Sequence, residues 1–162
     1  MVLQHYGVPT APFVVLHLDD EEELTPEKIQ KTIDNSQHAK SLSKYPLFAK
    51  PLAEGSSKGI QTSNKIRNAS ELYPAIQDVR ASTVSSSGIL IEAFLSGREF
   101  TVGLLGTGKN AWVVGVTEMV WKGQKRQDGA LDENIAFTTE RSKANDDWDG
   151  IVDEEIDQSV AI

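Results

Sequence analysis

FAKPLAEGSSKGI, residues 48–60, is the stretch on which the reading of this chain turns. A short apolar run, Tyr45 to Ala49, delivers Lys50 out of a predicted strand. Pro51 removes a backbone donor and ends that strand. The loop that follows, Glu54-Gly55-Ser56-Ser57-Lys58-Gly59, is small and bracketed by glycines. Gly55 and Gly59 permit positive φ and close backbone approach to a ligand. The residues between them offer hydroxyls, N–H groups and one cation, a concavity suited to a chain of phosphates. Alone, a loop of this composition reads better as a flexible surface turn. What tips the balance is a second stretch that answers it, ILIEAFLSGREFTV, residues 89–102.

Composition narrows the classes. With 162 residues the chain can bury one ordinary domain core. It is 39% hydrophobic and 25% charged, so it is globular rather than disordered. It has no cysteine, which excludes disulfide scaffolds and thiolate metal sites and fits a reducing compartment. A net charge of −8 argues against nucleic acid as the main partner. No run is long enough to span a bilayer, and MVLQHYGVPTAPF lacks the pattern of a signal peptide. A cytoplasmic protein is expected.

The remaining elements follow from periodicity and caps. Met1 to Tyr6 reads as the end of a helix stopped by Gly7, one that would begin before this chain does. Phe13 to Leu18 is apolar and β-branched, a strand; Asp19 to Glu23, five acids in a row, is a solvated loop. Thr25 then Pro26 make an N-cap followed by proline at the first helical position, with Ile29 and Ile33 on one helical face. Ile60 to Ile66 reads as a weaker strand, residues 70–82 as a helix, and Ile89 to Glu92 as a buried strand ending in a carboxylate. Residues 98–105 and 111–120 read as a hairpin around Gly106-Thr107-Gly108-Lys109-Asn110. Trp121 to Trp148 reads as a long mobile loop, and Asp149 to Ile162 as the start of a helix. The fold class expected is α+β, with the strands at 13–18, 47–50 and 89–93 in a mixed, mostly antiparallel sheet backed by helices.

Several motifs fail. Gly103 to Lys109 fits the first seven positions of the P-loop pattern, but Asn110 stands where a hydroxyl belongs. A P-loop must also open a helix, and Ala-Trp-Val-Val-Gly-Val after Lys109 reads as a strand. His5, His17 and His38 have no metal-site spacing. The acids from Asp146 to Asp157 are better read as a charged first helical turn than as a cation site. The pair Glu133-Asn134 lies in the polar loop and is not assigned as a metal ligand.

KPLAEGSSKGI, a helix, and then ILIEAFLSGREFTV resemble the ATP-grasp fold, and within it the D-alanine–D-alanine ligase-like family, over about Gly7 to Val120. The resemblance implies that residues 1–97 form the small nucleotide-binding lobe and 98–162 part of a second lobe. It places ATP against Lys50 through its phosphates, under the Glu54, Gly55, Ser56, Ser57 and Gly59 loop. It implies that Glu92 accepts from the adenine amino group and that Ala93, Phe94 and Leu95 run along the adenine edge. Glu99 then holds the ribose hydroxyls. Lys143, six residues after Phe137 in FTTERSK, is a candidate second phosphate lysine on spacing alone.

The residue types suit those roles. An acid at a strand end accepts from an amine, a carboxylate chelates a vicinal diol, and lysine is a mobile point charge for phosphate. Singly, Lys50 could be a snorkelling strand-end lysine, and Glu92 and Glu99 solvent-facing; jointly, in this order and spacing, they favour nucleotide.

In the family, the substrate domain precedes this region, and the magnesium ligands, an aspartate and a Glu-x-Asn pair, follow the helix that Asp149 begins. Mg2+ is therefore expected only for the full-length family member. The implied function is the ATP-binding fragment of a carboxylate–amine ligase working through an acyl phosphate, with a small carboxylate or amino acid as substrate. The alternative is a non-catalytic nucleotide-binding or structural module derived from that fold.

Overall fold

A computed structural model describes residues 2–18, 23–55, 57–83, 88–119, 124–125 and 131–132. The acids Asp19–Glu22, Ser56, Lys143 and the stretch from 133 onward, with its expected helix, lie outside the described residues.

Backbone contacts divide the described chain into a unit ending at Leu95 and another beginning at Ser96. The first is built on one four-stranded sheet. Its strands are β1 (Phe13–Leu16), β2 (Leu47–Pro51), β3 (Lys65–Ile66) and β4 (Ile89–Ala93), in the order β1-β4-β2-β3. Every pairing is antiparallel, where a mixed sheet was expected. Two helices back it. In α2 (Pro26–Asp34) the Thr25 hydroxyl accepts from the Lys28 amide at 3.2 Å, satisfying a donor the first turn leaves over. In α4 (Ala69–Ser82) Asn68 accepts from the Ser70 amide at 3.0 Å. Pro74 sits in the second turn of α4, on an exposed face.

Alternation in β2 sends Leu47, Ala49 and Pro51 to the helix side and leaves Phe48 and Lys50 on the other. Ile89 and Ile91 of β4 bury in the same way. They meet Ile29 and Ile33 of α2 and Leu72, Ala75, Ile76 and Val79 of α4 in one core. Two short helices complete the unit: α1 (Val2–His5) and α3 (Ala39–Leu42), the latter unsignalled by periodicity and burying Leu42.

Three expectations change. The first strand ends at Leu16 rather than Leu18. The strand expected over 60–66 shrinks to Lys65–Ile66, because Thr62–Asn64 coil into a 3-10 turn. Inside the polar stretch expected to be one loop, β7 (Gln124–Lys125) pairs with β8 (Leu131–Asp132).

The second unit contains the hairpin of β5 (Glu99–Leu105) and β6 (Trp112–Met119), with a bulge at Gly103/Leu104. Gly106 turns it at φ +98°, where a Cβ would stand 2.4 Å from the Asn110 carbonyl oxygen. Lys109 lies in a single 3-10 turn, Gly108–Asn110, that runs into β6. No α-helix opens there, so the P-loop reading is excluded. Arg98 donates to both carboxylate oxygens of Glu118, at 2.6 and 2.5 Å, a bidentate clamp across the open end of the hairpin.

Candidate functional site

The sheet face away from the helices brings together Lys50 of the first sequence stretch and Glu92 of the second. Residues directly opposite one another on paired strands share a face. One row runs Phe13, Glu92, Phe48, Lys65 across the four strands. The next runs Val15, Leu90, Lys50. Lys50 reaches diagonally to Glu92, Nζ to Oε1 at 2.6 Å, with the side chains 37% and 20% exposed. Forty-two positions apart in sequence, they form one charge pair on neighbouring strands.

That bond leaves capacity on both partners. An ammonium has three donors, and Glu92 keeps Oε2, so each can take a second partner without parting. Beside them the chain leaves β4 as an extended linker. The Ala93 amide donates to the Pro12 carbonyl at 2.9 Å and the Phe94 amide to the Pro46 carbonyl at 3.1 Å. The Leu95 amide makes no such bond among the described residues, and its side chain is exposed. Of the three linker donors, two are therefore spent on holding the linker in place.

Two further residues stand here that sequence reading did not single out. The Lys65 ammonium lies 4.3 Å from the centroid of the Phe94 ring, and Phe48 lies 6.1 Å from that ring at a tilt. Burial, then the charge of Arg67, holds the Lys65 ammonium below its ordinary pKa. Phe48 stood inside an apolar run, which does not say which of its members turn to the open face. Lys65 carried no signal, because a strand of two residues has no period.

The loop after β2 differs from its expected form. Gly59 takes positive φ, +72°, but Gly55 does not; Ser57, at +58°, takes the second such position. A Cβ on Gly59 would stand 3.0 Å from Pro51 Cγ and 3.1 Å from Ser82 Oγ, so this glycine is required by close approach as well as by conformation. The Lys58 amide donates to the Gly55 carbonyl and the Ile60 amide to the Ser57 carbonyl, both at 3.0 Å. Lys58 also pairs with Glu54 at 3.3 Å. Glu99 belongs to the second unit, exposed at the start of β5. Among the described residues no group of three or more His, Asp or Glu is placed to hold a metal ion.

The family described as D-ala D-ala ligase C-terminus matches residues 2–156. D-alanine–D-alanine ligases from two Actinobacillus pleuropneumoniae strains, serotype 5b (L20) and serotype 7 (AP76), are each 31% identical over 105 residues, or 65% of this chain. The chain spans 29% of the length of those relatives. A biotin carboxylase from Campylobacter jejuni, solved as a complex with β-γ-ATP, superposes on 75% of this chain and 25% of its own, with a TM-score of 0.52 and 22% identity. That likeness shows the fold. With a sheet of antiparallel strands backed by helices and a match over nearly its whole length, the chain belongs to the D-alanine–D-alanine ligase C-terminal family and has the ATP-grasp fold.

Proposed function

We propose that the first unit binds an adenine nucleotide on its open sheet face, as the nucleotide-binding part of an ATP-grasp carboxylate–amine ligase of the D-alanine–D-alanine type. The observation that carries this is the Lys50–Glu92 pair, with an unspent linker amide beside it. A purine with an exocyclic amine presents a donor next to a ring acceptor. Glu92 Oε2 and the Leu95 amide are an acceptor and a donor to match.

In this reading Lys50 turns its remaining donors to the phosphates, and the Glu54–Gly59 loop, Ser56 and Ser57 included, covers them. Glu99 holds the ribose diol. Residues 1–97 and 98–162 act as the two lobes, and Lys143 is the second phosphate lysine. In the whole ligase a substrate carboxylate oxygen attacks the terminal phosphorus and ADP leaves. An amine then attacks the acyl carbon and phosphate leaves. ATP-grasp ligases use Mg2+ with ATP, but the described residues do not fit a magnesium site, so no step is assigned to a metal held by them.

Calorimetric titration with ATP and GTP tests the reading. Lys50→Met removes a charge-assisted hydrogen bond of roughly 1.5–3 kcal/mol, which lowers ATP affinity by about one to two decades. Glu92→Gln shifts preference from ATP toward GTP, because an amide can donate to a purine carbonyl where a carboxylate cannot. Absence of ATP binding at millimolar concentration, or indifference to both changes, would sink the assignment.

A further inference from the structure

We propose that Asn64 is the positioning residue of the phosphate loop: one buried amide that fixes the loop's end to the strand bearing Lys50. This rests on the nucleotide reading above. Asn64 is 1% exposed, the one polar residue fully buried among the described residues. Its side chain is spent on three backbone groups. Nδ2 donates to the Ala49 carbonyl at 2.7 Å and to the Gly59 carbonyl at 3.1 Å. Oδ1 accepts from the Gln61 amide at 2.8 Å. Ala49 immediately precedes Lys50, and Gly59 closes the Glu54–Gly59 loop, so the amide binds the chain on both sides of the excursion.

The placement exceeds what a turn requires. To the capping box of the 3-10 turn Thr62–Asn64 this side chain contributes only its Oδ1 bond to Gln61. The two Nδ2 bonds reach outside the turn, to the strand and to the loop. An apolar residue here would make neither bond, and the Asn64 donor to the buried Ala49 carbonyl would be lost. At the start of the loop the Leu52 amide donates to the Gly88 carbonyl at 3.0 Å, and among the described residues no buried side chain ties the strand to the loop there as Asn64 does at its end. Asn64 thus fixes the downstream end of the loop to β2. It also holds Lys50 and the amides of Ser57 to Gly59 in one relation. The three side-chain bonds of Asn64 go to Gln61, Ala49 and Gly59, not to β4 and its linker, which carry the adenine contacts.

That separation gives the test. ATP and adenosine are titrated into the wild-type chain and into Asn64→Asp, which keeps the size and the acceptor but loses both donors. ATP affinity should fall about tenfold or more, and adenosine affinity should stay within about twofold. Equal losses for both ligands, or no loss for ATP, overturn the proposal while leaving the nucleotide reading intact. A wild type that binds no ATP overturns that reading, and the clamp is then judged by hydrogen exchange. Exchange across residues 52–60 should accelerate in Asn64→Asp, with β4 and α4 unchanged. Should the variant not fold, the wild type decides by NMR. The Asn64 side-chain amide must exchange far more slowly than that of exposed Asn68, and parity overturns the clamp.

Discussion

β4 and β5 carry the same alternation and meet opposite surroundings. In β4, Ile89 and Ile91 are fully buried under α2 and α4, and Leu90 and Glu92 take the other face. In β5, Phe100, Val102 and Leu104 share a face, with Val116 and Val113 opposite the last two on β6. All five are exposed, Leu104 at 68%. Period two states which side chains lie together; it does not state whether a second layer covers them. Among its described residues the second unit has strand paired to strand and no helix laid across, and a two-stranded ribbon is marginal by itself. The covered face is what gives the first unit a packed core.

The largest test of that contrast is truncation of one residue from each strand. Ile91→Ala should cost about 2–5 kcal/mol of unfolding free energy, the range for a large aliphatic residue in a packed core. Val102→Ala should stay within about 0.5 kcal/mol, as at the surface. Denaturant unfolding of both variants decides; equal costs would mean that the hairpin face is packed in solution. A smaller effect sharpens the first half of the comparison. Thr25→Ala removes the N-cap of α2 and should cost about 1 kcal/mol, with Thr25→Ser recovering most of it.

The smallest effect belongs to the hairpin. The hydrogen bond from Arg98 holds the Glu118 carboxyl below its ordinary value of 4.5. Because the folded value is the lower one, this contribution is complete above the ordinary value and fades as pH falls through the folded one. Amide exchange in β5 and β6 should quicken over that acid range. In Arg98→Gln the step should vanish, while the β1–β4 amides ignore both changes.

Much of the first unit was legible because its signals are local. Thr25-Pro26 marks a helix start whatever surrounds it, and the apolar run Tyr45 to Ala49 marks the strand that delivers Lys50. The hairpin could be told from a P-loop because glycines at 106 and 108 lead into β-branched residues. The charged members of the site were legible by type and order. What failed was what depends on partners distant in sequence. Ile60 to Ile66 looks like a strand until the Asn64 side chain finds Ala49 and Gly59. Gly55 permits positive φ, yet the path of the loop gives that conformation to Ser57.

The sequence by itself determined the main strands, α2, α4 and the hairpin, and the kinds of group at the site, since propensity, caps and period act within a few residues. The tertiary structure alone decided that Lys50 and Glu92 stand 2.6 Å apart, that two of three linker amides are spent on prolines, and that a buried asparagine closes the loop. Each of those is a bond between segments far apart in the chain. Only the antiparallel register and the packing of α4 on the sheet bring such partners together.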